Sequence, residues 1–216
     1  MNNFFFAVLP YIALTLFVVV PIIRRRRGGF AFTTRASGFF ERPSMGIAAL
    51  CFHWGIITLF IAHLFGLIGG LSTQTSWINL FHWVGLAAGV AVFYGASLAL
   101  IRRVVVPEMR AVSQVDDYLI LAFFIVAVAT GIYPVIADKT FGLSMTVAPW
   151  VKSIFTFSPS IAAMSGLALI TKVHIVTGMI LTAYFPFTKL VHVWTVPLSY
   201  FVRPYQSLRT YRRVMS

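Results

Sequence analysis

Five stretches of the chain are apolar almost without interruption, at about 4–23, 46–69, 79–101, 117–137 and 166–195. A helix needs roughly 20 predominantly apolar residues to cross the hydrocarbon core of a bilayer, and each stretch is long enough. The pattern predicts an all-α membrane protein of five transmembrane helices, forming a single integral-membrane domain over residues 1–216. Only "MNN" precedes the first run, with no basic region before it, so the first span is expected to be a retained anchor rather than a cleaved signal. The last run is interrupted by Pro186 in "YFPFTK", which predicts a kink, because proline removes one backbone hydrogen bond. A span tolerates that loss only if neighbours satisfy the freed carbonyl.

Two connections are longer than turns. Residues 24–45, "RRRRGGFAFTTRASGFFERPSM", are rich in arginine and aromatics and are expected along the inner membrane surface. Residues 138–165 hold Pro149, Pro159 and spaced aromatics. A short amphipathic helix is expected there in the outer interface, with Trp150 and the phenylalanines as anchors. The same segment is equally able to cap a pocket from outside.

Composition sharpens the class. The chain is 59% hydrophobic and only 10% charged, where soluble domains carry about 25% charged residues. Its formal charge of +12 raises the question of nucleic acid, but the distribution argues for a membrane instead. The first connection carries Arg24, Arg25, Arg26, Arg27, Arg35 and Arg42 against Glu41, while 70–78 has no charged residue. The third connection carries Arg102, Arg103 and Arg110, the fourth only Lys139 and Lys152, and the tail Arg203, Arg209, Arg212 and Arg213. Basic residues thus concentrate on alternate connections. The expected topology is N-terminus outside and C-terminus inside, multi-pass in the cytoplasmic (inner) membrane, with a basic cytoplasmic tail over about 196–216. Most of the arginines then mark topology, and the rest are available to dock a cytoplasmic partner or to pair with cofactor carboxylates.

The single cysteine, Cys51, excludes an internal disulfide, a C-x-x-C-H haem attachment and an iron–sulfur cluster held by this chain alone. The chemistry falls to the histidines. All five, His53, His63, His82, His174 and His192, lie in predicted spans. One intramembrane histidine is commonly an interhelical hydrogen bond. Five are harder to explain so, since ionisable groups at that depth are costly and mark functional sites. His53 and His63 lie within about 80° on one helix and about 15 Å apart in rise; His174 and His192 share a face about 27 Å apart on a continuous helix. The second and fifth spans run in opposite directions, which pairs His63 with His174 near the outer surface and His53 with His192 near the inner one. Two stacked histidine pairs suit two non-covalent b-type haems held within the bundle between spans two and five. The unequal separations are the awkward point, for tilt or the Pro186 kink to absorb. Gly55, Gly66, Gly69 and Gly178 would let a flat macrocycle approach, or else serve close helix packing. A metal-ion transporter would normally add intramembrane carboxylates or carbonyl-lined breaks, whereas Glu41, Glu108, Asp116, Asp117 and Asp138 all fall at helix ends or in loops.

"FHWGIITLFIAHLFGL", followed downstream by "KVHIVTGMILTAYFPFTKLVHVWTVPLSYFVRPYQSLR", resembles the gamma subunits of respiratory nitrate reductases, which are membrane di-haem cytochromes b. The likeness includes "WVKSIFTF" and spans most of the chain. It implies His63 and His174 as ligands of the outer haem iron and His53 and His192 as ligands of the inner one. It further implies quinol oxidation near the outer haem and electrons passed inward to an iron–sulfur subunit and a molybdenum catalytic subunit on the cytoplasmic face. Nitrate reduction itself would belong to that partner. The chain departs from the pattern where a basic residue should assist quinol binding: "WINLFHWVG" offers no matching lysine. His82 stands on that side as a quinol ligand, or as an interfacial residue beside Trp77 and Trp83. Lys172 is a candidate for quinol or a haem carboxylate, with snorkelling as its plainer role. Arg102 and Arg103 are candidates for inner-haem carboxylates or interface markers. The rival readings are a cytochrome b of a nitrite-oxidising, sulfite-reductase-linked or heterodisulfide-reductase-type complex, and a haem-free membrane scaffold.

Overall fold

The computed structural model describes residues 2–27, 42–137 and 142–195. Five helices in it are long and apolar enough to cross a membrane, as the hydropathy pattern predicts. The first, α1 (Leu9–Arg27), continues from a π-turn at Phe4–Val8. It is followed by α2 (Arg42–Ser72), α3 (Thr75–Val105), the short α4 (Pro107–Val112) and α5 (Val115–Ala137). The outer-connection segment forms α6 (Gly142–Phe155) and a single turn, α7 (Ala162–Ser165). The last span begins as α8 (Leu169–Tyr184).

Lipid tails are as apolar as leucine, so spans gain little from mere burial and depend on close backbone approach at small residues. Helices α2 and α3 meet in that way. A Cβ on Gly95 would stand 2.7 Å from the Phe52 backbone nitrogen, and one on Gly55 would stand 2.8 Å from Val92 Cγ2. Gly69 lies against Ile78 in the same manner. For Gly55 and Gly69, close helix packing is therefore the correct reading; neither offers space to a cofactor. A second seam seats α2 on α6, where a Cβ on Gly70 would run into the Ser144 backbone.

Two apolar clusters fill the bundle. One joins α3 and α5 through Val92, Ala96, Ile120, Leu121, Phe124 and Val128, with Phe52 of α2 and Tyr184 of α8 packed against it. The other joins α1, α6, α7 and α8 around Phe6, Trp150, Ile154 and Met164. Trp150 is only 1% exposed, and its indole N–H donates to the Phe6 carbonyl at 2.9 Å. The amphipathic helix expected in 138–165 is present, but Trp150 is a core residue on the helix's inward face and not an interfacial anchor. Phe155 and Phe157 are the exposed aromatics there, with Phe157 stacked on Tyr11 of α1.

The last span departs further from expectation. The sequence predicts a helix over about 166–195 kinked at Pro186, whereas α8 stops at Tyr184. Pro186 sits in a 3-10 turn, Phe185–Phe187, and Thr188 is extended at φ −99°, ψ 178°. A second 3-10 segment, Lys189–Thr195, carries His192. Proline does more here than kink the helix: it ends the α-geometry, and the chain sets off afresh. Two carbonyls at the break find partners: the Thr188 hydroxyl donates to the Phe185 carbonyl at 2.9 Å, and the Arg24 guanidinium of α1 donates to the Pro186 carbonyl. The inner-surface segment at 28–41 and the basic tail at 196–216 lie outside the described residues.

Candidate functional site

His53 and His63 both belong to α2, His174 to α8 and His192 to the 3-10 segment beyond the break. The structure brings them together in two pairs. The rings of His63 and His174 lie 6.0 Å apart, centre to centre, with their planes 21° apart. The rings of His53 and His192 lie 6.2 Å apart at 60°. Because His192 follows the break at Pro186–Thr188, His174 and His192 do not share one helix face five turns apart. The unequal rise that the sequence presented belonged to a helix that does not exist.

Each imidazole is oriented by a backbone carbonyl through Nδ1. The carbonyl of Ala49 accepts from His53 at 2.7 Å, that of Leu59 from His63 at 2.8 Å and that of Lys189 from His192 at 2.8 Å. His174 donates instead to another helix, at the Ala127 carbonyl of α5, 2.8 Å away. A carbonyl only accepts, so Nδ1 carries a proton in each of the four rings, and the neutral form then has its lone pair on Nε2. Histidines that ligate metals are held in that tautomer, with the other ring N–H given to a carbonyl or carboxylate.

The spacing suits a shared ion. A metal–imidazole bond is about 2.0 Å, and adding about 1 Å from each nitrogen to its ring centre puts two opposed rings about 6 Å apart. Among the described residues, no group of three or more His, Cys, Asp or Glu could hold a metal ion. A haem, which brings four ring nitrogens of its own, would need only the two imidazoles of a pair from the protein. The four histidines fit two haems. Gly66 and Gly178, near the His63–His174 pair, face open space, with nothing closer than 4.0 Å to an added Cβ. Of the four glycines singled out in the sequence, these two remain suited to a flat macrocycle.

Two features escaped the sequence reading. Gly131 of α5 lies directly against His174: an added Cβ would stand 2.7 Å from its Cε1 and 2.9 Å from its Nδ1. Together with the Ala127 carbonyl, one turn earlier, it forms the seat for that ring. Near the other pair, Lys189 Nζ lies 2.6 Å from the Asp117 carboxylate, which is 5% exposed. Both residues line a cavity with Phe52, Arg103, Asp116 and Thr188, and the Phe52 ring meets His53 edge-on. The signals in the sequence were slight: a lone glycine in a span, and an acid and a base far apart in the chain.

The lesser candidates are placed as follows. His82, on α3, is half-buried and meets Trp83 edge-on at 5.6 Å. Lys172 donates to the Ser165 carbonyl at 2.9 Å, tying α8 to the turn at α7. Arg102 is buried, at 5% exposure. Arg103 donates through Nη1 to the Ala99 carbonyl, and its buried Nε makes no hydrogen bond among the described residues.

Comparison with known proteins aligns nearly the whole chain. A family model described as "Nitrate reductase gamma subunit" matches residues 2–211. The chain is 32% identical over 219 residues to the respiratory nitrate reductase 1 gamma chain of Escherichia coli (strain K12), covering 97% of each. It is 30% identical over 208 residues to the nitrate reductase gamma chain of Bacillus subtilis (strain 168), covering 92% of this chain and 93% of that one. A nitrate reductase-like protein NarX of Mycobacterium tuberculosis (strain CDC 1551 / Oshkosh) is 31% identical over 217 residues, which are 95% of this chain and 33% of that protein.

Proposed function

Since the chain belongs to the nitrate reductase gamma subunit family and is a multi-pass membrane subunit of that oxidoreductase complex, we propose that it is the complex's quinol-oxidising di-haem cytochrome b. The observation that carries this reading is the two imidazole pairs, each near 6 Å and each ring held by a carbonyl on Nδ1.

His63 and His174 would hold the outer haem iron, and His53 and His192 the inner. Haems bound there would supply one-electron carriage across the membrane, from quinol oxidised at the outer side to an iron–sulfur subunit and a molybdenum catalytic subunit on the cytoplasmic face. The protein's own work is orientation. The four carbonyls hold each ring through Nδ1 and leave Nε2 to serve as the ligand atom. Arg103 lines the cavity beside the inner pair, and its half-buried guanidinium, with a buried Nε that has no hydrogen-bond partner among the described residues, suits an inner-haem carboxylate. His82 is the group to accept a hydrogen bond and a proton from quinol, releasing the proton outward. Lys172 is already tethered to Ser165 and, with further N–H groups to donate, is available to a carboxylate or a quinol oxygen. In this orientation the N-terminus is outside and the C-terminus inside the cytoplasmic membrane.

Quinol added to membranes carrying the whole complex should reduce the b-haem absorption, and nitrate should then reoxidise it. His82→Leu should slow the quinol step by at least about 100-fold, as loss of a general base does, while leaving both haems bound. Haem that dithionite reduces and quinol does not would exclude quinol oxidation as the subunit's task.

A further inference from the structure

We infer that the Asp117–Lys189 ion pair is the pin that sets the orientation of His192. The inference rests on the reading of His192 as a haem ligand and adds a positioning pair to it. The segment Lys189–Thr195 is 7 residues of 3-10 helix, longer than such geometry usually sustains. It follows a proline and an extended threonine, so it inherits no rigidity from α8. Its placement has to come from outside.

From α1, Phe17 packs against Phe185 at 5.4 Å and Trp194 at 5.2 Å, which holds the two ends of the region. From α5 comes a polar contact to the residue that holds the imidazole. Lys189 acts twice: its carbonyl accepts the His192 Nδ1–H at 2.8 Å, and its ammonium lies 2.6 Å from Asp117 Oδ2. Asp117 is itself fixed. It stands in the first turn of α5, where a carboxylate is favoured by the helix dipole, and its Oδ2 accepts the Gln114 N–H at 3.0 Å. Leu190 packs on the α3–α5 cluster and Val191 is buried, but a polar path from a rigid span to the imidazole runs through Lys189, with a charge-assisted bond at one end and a carbonyl at the other.

Burial of the two partners is unequal, Asp117 at 5% and Lys189 at 30% side-chain exposure. Removing Lys189 strands a buried carboxylate, whereas removing Asp117 leaves an ammonium able to reach water. Lys189→Met should thus act more strongly than Asp117→Asn, and the double variant should recover part of the loss. Lys189→Arg, which keeps the charge, should behave as the unaltered chain.

The test uses the whole complex in membranes with two readouts. Amide hydrogen exchange of residues 189–195 should quicken at least tenfold in Lys189→Met and in the same direction, by less, in Asp117→Asn. The low-spin ferric signal of the His53–His192 haem should shift while that of the His63–His174 haem stays. If Lys189→Met does not assemble, Asp117→Asn carries the comparison alone. Unchanged exchange and an unchanged inner signal in the charge-removing variants would overturn the pin, as would Lys189→Arg behaving like Lys189→Met. Should the unaltered chain hold no haem there while exchange still quickens, the ligand reading fails and the pin on the segment stands.

Discussion

On the proposed reading of two haems per unaltered chain, His63→Ala or His174→Ala is expected to lower the count to one and to keep the haem at His53–His192. The expectation follows from how the pairs are built. Each iron would be held by two imidazoles about 6 Å apart, so losing either ring would remove one of its two protein donors. The described residues offer no cluster of three or more metal-binding side chains to substitute. Quinol-driven electron delivery should fall by more than about 100-fold, since even changes at a ligand's hydrogen-bond partner cost about 10–100-fold. His53→Ala and His192→Ala should have the mirror effect, sparing the haem at His63–His174. Haem content by pyridine haemochrome, with spectra of each variant, checks this. Loss of the opposite haem in any one variant would overturn the pairing.

The second large effect is expected at Gly131→Ala, a change of one methyl group. Its Cβ would stand 2.7 Å from His174 Cε1, closer than carbon atoms tolerate. The ring cannot retreat freely, because its Nδ1–H is bound to the Ala127 carbonyl at 2.8 Å. Either that bond breaks or α5 and α8 separate. Overpacking of this kind costs about 1–3 kcal/mol, and the displaced ligand should weaken outer-haem retention by about 10–100-fold. Gly166→Ala serves as the control, since an added Cβ there meets nothing within 4 Å. Thermal stability and haem content of the two variants, measured side by side, decide the matter. Equal behaviour would show that Gly131 is not the seat of His174.

What the sequence made legible follows from where the information lies. A membrane span announces itself in one continuous run, so all five appear in the hydropathy pattern, and the third merely extends from about 79–101 to Thr75–Val105. The histidine pairs were also accessible, because alternating spans fix which ends of two helices meet. The end of α8 was not, because a proline in an apolar run does not say whether the helix bends or stops. That depends on partners such as Arg24 and the Thr188 hydroxyl, distant in the chain or supplied by the local fold. Trp150 was misplaced for a similar reason. An aromatic at a membrane boundary serves equally as an anchor or as a core residue until Phe6 is known to lie beside it. Gly131 and the Asp117–Lys189 pair have no local signature at all. Their roles come from the docking of α5 against the last span, and the ion pair joins residues 72 positions apart.

The central claim is that the two histidine pairs hold two b-type haems. A dithionite-reduced minus oxidised spectrum of the purified chain, combined with haem and protein quantitation, tests it most directly. The prediction is a b-type spectrum with two haems per chain; a correctly folded, colourless protein would contradict it.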